Sequence, residues 1–390
     1  MIYNEDQLKV INEAYEFYKD PNRQVYEFSG GPGTGKTTVL LGILERLNLN
    51  PLKVLSMAYI GQAAINMRLK GLPNAKTIHS SIYETKEVLD EVDEYYNRPK
   101  VKFVTVDKDL SAIDAMIIDE GGSVPLRNKA DIEKHGKKII VSGDIDQLPP
   151  VMDEPAYLTD PEKITRLRTI IRQKEGSGIL YLGQRALAGL PLQYGNYKDC
   201  IVVDEDEITD EILKKAGVII CGTNRMRDKL TNKIRHDLLH INNELPVYGE
   251  KVVFRKNNWT IECDGINIAN GLRGTIVNSP NPVDMRDGNF MVDFQPDKFE
   301  QVFYDLPCDY KYLLAPHNER KFLKFDKYQT GEKLEFGYAI TCHMAQGSEY
   351  NSGIFFEEDM GGDLRNRFMY TGITRFKNGL ILVKKKRKYF

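Results

Sequence analysis

Through the first part of the chain, short apolar runs alternate with stretches whose apolar positions recur every three or four residues. Runs at 25–28, 53–57, 115–118 and 138–141 each end in a polar or glycine-rich turn, the pattern of buried strands. Ahead of the first run, Leu8, Ile11, Tyr15 and Tyr18 share a helical face. Strands alternating with helices predict a parallel α/β sheet. The rhythm breaks over 84–108, acidic at first and then strand-like, which reads as a small hairpin insert. A second α/β series follows, with a helix over 179–187, a strand over 218–221 and a helix over 225–239. From 246 to 331, strands at 251–255, 274–278 and 289–294 are separated by N-G, S-P, N-P and D-G turns, so a β-rich insert is expected there. The α/β series then resumes with strands near 338–341, 353–356 and 380–383. The expected fold class is α/β: a first domain over 1–153, and a second over 154–245 and 332–390 that is interrupted by the 246–331 insert.

Composition narrows the function classes. The 390 residues hold 54 Lys+Arg and 56 Asp+Glu, a net charge of −2. A uniformly basic nucleic-acid coat is thereby excluded, although a local basic groove is not. With 41% hydrophobic and 28% charged residues, the chain is globular in character and not disordered. The cysteines (Cys200, Cys221, Cys263, Cys308 and Cys342) are scattered, odd in number and never in C-x-x-C spacing. They predict reduced thiols, not a disulfide scaffold or a zinc ribbon. The N-terminal segment has no apolar signal-peptide core, and no apolar run is long enough to span a bilayer. A soluble, cytoplasmic protein without a membrane partner is expected.

One motif dominates. Gly30-Gly31-Pro32-Gly33-Thr34-Gly35-Lys36-Thr37 is a complete G-x-x-x-x-G-K-T, and it lies between a predicted strand and a predicted helix that continues through Thr38. Successive backbone N–H groups of such a loop cradle phosphate oxygens. Lys36 would reach the β- and γ-phosphates of a bound nucleotide and the Thr37 hydroxyl would bind Mg²⁺, a site that by itself fits an NTPase or a kinase. The run 116–118 delivers Asp119 and Glu120 to a strand end. There Asp119 can hold the Mg²⁺ through water and Glu120 can polarise the attacking water. Asp144 also ends an apolar strand but lacks a neighbouring glutamate. Gln147, in Gly143-Asp144-Ile145-Asp146-Gln147-Leu148-Pro149-Pro150, can bond the γ-phosphate or the attacking water. An incidental glutamine in a proline-terminated loop is the other reading of that segment.

These segments together resemble superfamily 1 helicases, in the 5′-to-3′ branch that includes the RecD-like and phage Dda-like DNA helicases. The resemblance extends over most of the chain. Asn4-Glu5-Asp6-Gln7 is similar to the family's Q motif, which implies that Gln7 reads adenine; a capping box of Asn4 and Gln7 fits the same residues. Tyr59-Ile60-Gly61-Gln62-Ala63-Ala64 stands where the family has A-P-T-x-x-A-A, without the Pro-Thr pair. Thr77 and His79, in Lys76-Thr77-Ile78-His79-Ser80, match expected strand contacts; a helix start satisfied by local backbone is the plainer role for His79. In the second half, 167–173 resembles motif IV with Arg172 as its arginine, and Thr223-Asn224-Arg225 resembles the T-N motif. The run 339–349, with Thr341, His343, Gly347 and Glu349, resembles motif V, and 370–375 resembles motif VI, ending in Arg375.

The resemblance implies two RecA-like domains. ATP binds at the first, and the second supplies Arg172 and Arg375 to the transferring phosphoryl group. It implies an ATP- and Mg²⁺-dependent DNA helicase moving 5′ to 3′, with single-stranded DNA and single/double-strand junctions as partners, and single-strand-binding or replication proteins as possible ones. The cellular site is then the bacterial cytoplasm, or the host's if the chain is phage-encoded. A motor or clamp subunit of a nuclease or replication complex, and a viral-type RNA helicase, are the alternatives. Gln62, Thr77, His79, Asn224, Thr341 and His343 become strand contacts, and Gly347 and Glu349 lie near the nucleotide. The 84–108 hairpin corresponds to the family's duplex-splitting pin, with Tyr95, Tyr96 and Phe103 as stacking aromatics; ordinary hairpin packing competes for each. The 246–331 insert resembles the family's SH3-like insert through 247–256 and Asn270-Gly271. His236 and His240, four apart on a predicted helix, lack a third ligand, and the basic run 384–388 reads as a solvated end.

Overall fold

The apolar runs assemble into two parallel sheets. The computed structural model describes residues 2–93, 98–171, 176–280, 288–323, 331–362 and 364–385. The chain divides into two compact units. One holds Met1–Tyr59, Asn66–Ile145 and Pro149–Arg172; the other holds Ile60–Ile65, Asp146–Leu148 and Gln173–Phe390.

The first unit contains a six-stranded sheet in the order Lys76–Thr77, Val54–Ala58, Ala115–Asp119, Lys138–Gly143, Val25–Gly30, Thr165–Leu167. Every pairing is parallel. Ala115–Asp119 is buried along its whole length, as a central strand covered on both faces must be. Met57, Ile118, Ile139 and Val141 form part of the core on one face. Register sets Asp119 and Thr77 level with Ala58, and Gly143 level with Ser29. Because all strands run one way, the residues following Gly30, Asp119 and Gly143 emerge at the same carboxyl edge, where sheets of this kind bind ligands.

This unit runs beyond the boundary expected at 153. Thr165–Leu167 pairs with the strand that leads into the phosphate loop, from Phe28↔Thr165 to Gly30↔Leu167. The expected hairpin insert is present as Tyr83–Asp93 and Arg98–Asp107, antiparallel, with Tyr83 opposite Asp107. Tyr95 and Tyr96 lie outside the described residues, as does the side chain of Phe103.

The second unit has its own six-stranded sheet, in the order Ala339–Thr341, Ile219–Cys221, Tyr350–Phe356, Phe376–Lys384, Cys200–Asp204, Gly195–Tyr197. The outermost strand, Gly195–Tyr197, is antiparallel, and the other pairings are parallel. Ile179 and Leu182 on helix Gly178–Leu187, with Phe368 and Ile373 on Leu364–Ile373, share a core with Ile220, Phe355 and Leu382. The helix expected over 225–239 is an α-helix at Asn224–Asn232 that widens into a π-helix at Lys233–Leu238. Cys200, Cys221, Cys308 and Cys342 are buried, and burial pushes their thiols up, Cys342 to about 12. They are core residues and not nucleophiles.

The β-rich insert is a five-stranded antiparallel sheet, in the order Phe303–Asp309, Asn289–Pro296, Arg273–Asn278, Lys251–Phe254, Leu334–Phe336. Its core includes Phe254 and Phe294, edge to face at 4.8 Å. The insert therefore extends past 331, because Leu334–Phe336 pairs with Lys251–Phe254. Buried and half-buried arginines fasten this sheet within its unit. Glu335 is 3% exposed and lies 3.1 Å from Arg227 Nη1, 3.3 Å from Arg255 Nε and 2.6 Å from Arg320 Nη1. Burial works to raise its carboxyl, but Arg255, Arg227 and Arg320 together hold it below the usual range. Arg273 donates to the Gly337 and Gly217 carbonyls, both at 2.7 Å, and its Nη1 pairs with Asp297 at 2.6 Å.

Candidate functional site

The two helices that open the first unit end differently at their N-termini. Glu5–Lys19 carries a full capping box: Gln7 N–H donates to Asn4 Oδ1 at 2.9 Å, and Asn4 N–H donates to Gln7 Oε1 at 3.2 Å. Lys36–Leu47 follows Gly35, which is left-handed (φ 83°), and has no side-chain cap and no acid in its first turn. Its leading N–H groups are left for an anion, with the positive end of the helix dipole behind them. Lys36 stands at this same end, with Nζ donating to the Gly30 carbonyl at 2.9 Å and to that of Gly31 at 3.5 Å. Thr34 Oγ1 closes the loop on the Gly31 carbonyl at 2.8 Å. Gly31, Pro32, Gly33, Gly35, Lys36, Thr37 and Thr38 are all partly exposed, as a ligand-binding loop must be.

Gln7 is buried and does two jobs. Besides the capping bond, its Nε2 donates to the Thr34 carbonyl at 3.2 Å, so its amide braces the phosphate loop. Asp6, its neighbour, binds the segment after Thr165–Leu167. Asp6 Oδ2 accepts from Arg168 N–H at 2.9 Å, and from Thr169 N–H and Oγ1, both at 3.0 Å. The Arg168 N–H, with the Thr169 bonds, holds this carboxyl below the usual range. Ile171 N–H then donates to the Gly33 carbonyl at 2.9 Å. The segment read as motif IV thus belongs, as far as Ile171, to the phosphate loop's own unit and not to a second domain. Arg172 itself lies outside the described residues.

Asp119 is 9% exposed, and its Oδ1 accepts from Ser142 Oγ at 2.6 Å and from Glu120 N–H at 3.0 Å. Both bonds fall on one oxygen and fix the orientation of the carboxylate. Ser142 lies on Lys138–Gly143, the strand between Asp119 and the phosphate-loop strand. Two strand spacings put those strands about 10 Å apart. Glu120 has φ 53°, a left-handed conformation uncommon outside glycine, asparagine and aspartate. Asp144 is also buried at this edge, where Ile145 N–H donates to Ser29 Oγ at 3.0 Å.

In the second unit, Asp146–Leu148 is held through Leu148. Its N–H donates to Thr371 Oγ1 at 2.9 Å, and its carbonyl accepts from Gln346 Nε2 at 2.8 Å. The carbonyl of buried Gln147 accepts from Arg367 Nη1 at 3.4 Å. Arg375, which the resemblance assigns to the transferring phosphoryl group, is 4% exposed, with Nε donating to the Thr371 carbonyl at 3.1 Å and Nη1 to that of Ser348 at 3.3 Å. Glu349 pairs with Lys377 at 2.6 Å.

The expected strand contacts vary in exposure. Thr77 is buried, with Oγ1 2.9 Å from Ser80 Oγ. His79 is exposed, in the first turn of the helix Ile78–Ile82, with its ring 5.0 Å from that of Tyr83. Asn224 is exposed at the first turn of its helix, and Gln62 and His343 are partly exposed. Thr341 is buried and caps Cys342–Ala345 through the Met344 N–H at 3.4 Å. His236 Nδ1 lies 2.8 Å from the Ile241 carbonyl. Among the described residues, no three or more His, Cys, Asp or Glu are grouped to hold a metal, and no helix is long and apolar enough to cross a membrane. Lys384 Nζ donates to the Leu192 carbonyl at 2.7 Å, and residues 386–390 lie outside the described residues.

Sequence reasoning missed Asp6, Ser142, Gln346 and Thr371 as supports of this machinery. Ser142 left one trace, a lone hydroxyl in the otherwise apolar run of its strand. The others act through contacts far apart in sequence.

Comparison with known proteins agrees with this geometry. Residues 16–153 match the family described as AAA domain, and residues 336–383 match the family described as UvrD-like helicase C-terminal domain. An uncharacterised protein of Methanocaldococcus jannaschii is 26% identical, over 96% of this chain but 38% of its own length, so the chain spans well under half of that relative. Pif1 from Bacteroides bound to single-stranded DNA superposes with a TM-score of 0.59 at 17% identity, covering 98% of this chain and 92% of that one. The Bacteroides Pif1 complex with ADP-AlF3 and single-stranded DNA gives 0.55 at 17% identity, with the same coverage. At these identities the likeness is one of fold: two parallel RecA-like sheets with an antiparallel β insert.

Proposed function

We propose that the chain is a superfamily 1 helicase of the Pif1/RecD-like group, an ATP-dependent enzyme that moves 5′ to 3′ along single-stranded DNA and unwinds the duplex ahead; the two family matches and the shared fold support this reading. The observation that carries the reading is the uncapped helix start after Gly35, at the same sheet edge as the oriented Asp119 carboxylate. An anion site and a fixed carboxylate of this kind suit a nucleoside triphosphate with Mg²⁺. Thr37 and Asp119 would hold the ion, which supplies charge neutralisation between the β- and γ-phosphates. Lys36 binds the phosphates, Glu120 accepts the proton of the attacking water, and Gln147 senses the γ-phosphate. Arg375 and Arg172 are the proposed phosphoryl-stabilising arginines, and Gln7 the adenine contact. Gly347 and Glu349 are assigned to the nucleotide side of motif V. Gln62, Thr77, His79, Asn224, Thr341 and His343 are the proposed strand contacts. The Bacteroides Pif1 structures that share this fold hold single-stranded DNA, and one of them also holds ADP-AlF3, which supports both halves of the reading.

The hairpin Tyr83–Asp93/Arg98–Asp107 is the proposed pin. Replacing it by a tight turn should leave strand-stimulated ATP hydrolysis intact, because the strand contacts lie on other segments. Unwinding of a 5′-tailed duplex should fall sharply. Both activities are measured on one preparation. Unimpaired unwinding would make the segment a surface hairpin, and loss of both would make it part of the first unit's framework.

A further inference from the structure

Gly61, Gln62 and Ala63 open the helix Gly61–Leu69, and 60–65 packs with the second unit. Two glycine turns of that unit close on this short stretch. One is in the insert, where Leu272 N–H donates to the Ala269 carbonyl at 2.9 Å and Gly271 has φ 89°. The other is in the motif V segment, where Ser348 N–H donates to the Ala345 carbonyl at 3.0 Å and Gly347 has φ 71°. Each glycine takes the positive φ that a type II turn requires at its third position. A side-chain carbon at Gly347 would come within 2.7 Å of Ala63 Cβ, and one at Gly271 would lie 3.9 Å from Gln62 Cβ and 3.7 Å from the Met344 carbonyl oxygen. The helix start is thus wedged between the two turns, one of which contains a proposed nucleotide-side residue and follows two proposed strand contacts.

Asn257 locks the insert's turn in place. Its Oδ1 accepts the Asn270 N–H at 2.8 Å. The same oxygen sits so close to Gly61 that a methyl group there would be 2.3 Å from it. One side chain therefore fixes the 269–272 turn and also meets the helix start that presents Gln62. We propose that Asn257 is a positioning residue for strand binding: it seats the insert against 61–63 and so sets Gln62 relative to the motif V segment of Thr341 and His343. This inference rests on the helicase reading, in which those segments contact the strand. Asn257 is partly exposed and outside the nucleotide machinery, so its loss acts on strand affinity and not on the chemical step.

The test is the steady-state ATPase of the full chain as a function of oligothymidylate concentration, at physiological salt, for the wild type, Asn257→Ala and Asn257→Asp. The Ala variant should keep basal and saturating turnover but need roughly fivefold more DNA for half-maximal stimulation, the effect of one lost hydrogen bond. The Asp variant keeps the accepting oxygen and should need less DNA than the Ala variant for half-maximal stimulation, with any cost of its added charge shrinking as salt is raised. An unchanged half-maximal concentration in the Ala variant, or equal impairment of both variants, overturns the inference. So does a lower saturating turnover at unchanged half-maximal concentration. A wild-type chain that DNA does not stimulate overturns the helicase reading along with it. A stimulated wild type with an indifferent Ala variant overturns this inference alone.

Discussion

Lys36→Ala should lower ATP turnover by roughly a hundred- to a thousandfold, the cost of removing one fixed donor from a developing phosphoryl charge, while leaving the fold intact. A cation in the first turn of a helix opposes the helix dipole, at about 0.3–1 kcal/mol when exposed. Lys36 occupies that position in Lys36–Leu47, so its presence there is explained by a ligand and not by helix stability. Its ammonium rests on the Gly30 and Gly31 carbonyls, contacts that a phosphate can replace. Alanine removes the charge, keeps helix propensity and opens no core cavity, since Lys36 is partly exposed. The check pairs phosphate release with thermal melting. Near-wild-type turnover would take Lys36 out of the catalytic site, and a melting temperature lowered by many degrees would make it structural.

Glu120→Gln should separate binding from chemistry. Loss of a general base typically costs 10²–10⁴-fold, so turnover should fall by about that much. Nucleotide affinity should hold. Glu120 has its left-handed backbone fixed by its own N–H on Asp119 Oδ1 and by its carbonyl, which accepts from Ser123 Oγ at 2.7 Å. Neither bond involves its side chain, and glutamine has nearly the same shape. The loop that cradles phosphate is built from other residues. Fluorescent-nucleotide titration alongside single-turnover hydrolysis reads both quantities. An equal loss of nucleotide affinity would mean that Glu120 shapes the site and does not work in it.

What could be read in the sequence was what chemistry confines to neighbouring residues. A phosphate loop needs consecutive N–H groups, so Gly30 through Thr37 announced the site without any structure. Asp119 and Glu120 were legible because an apolar strand must end before a carboxylate can reach the sheet edge. The two sheets followed from runs long enough to show their period. Thr165–Leu167 and Leu334–Phe336 have three residues each, too few to carry a periodicity, and both domain limits moved on their account. Long-range polar contacts left no pattern at all. Asp6 on Arg168 and Thr169, and Thr371 on Leu148, join residues more than 160 apart, each through a backbone group that any residue supplies. Gln7 was legible as a capping residue, which the structure shows, and the proposed adenine contact would use the same side chain. In the structure that amide also braces Thr34. For Arg375, the motif marked an arginine as special but was silent on the two carbonyls that hold it.

The most direct measurement of the central claim is ATP-driven strand separation on two DNA duplexes that differ only in whether the single-stranded tail is 5′ or 3′. The helicase reading predicts that the 5′-tailed duplex is unwound and the 3′-tailed one is not, with no unwinding of either when ATP is left out or Lys36 is replaced by alanine. Unwinding of the 3′-tailed duplex alone would contradict the polarity. ATP hydrolysis with no unwinding of either duplex would contradict the claim that this chain is a helicase in its action.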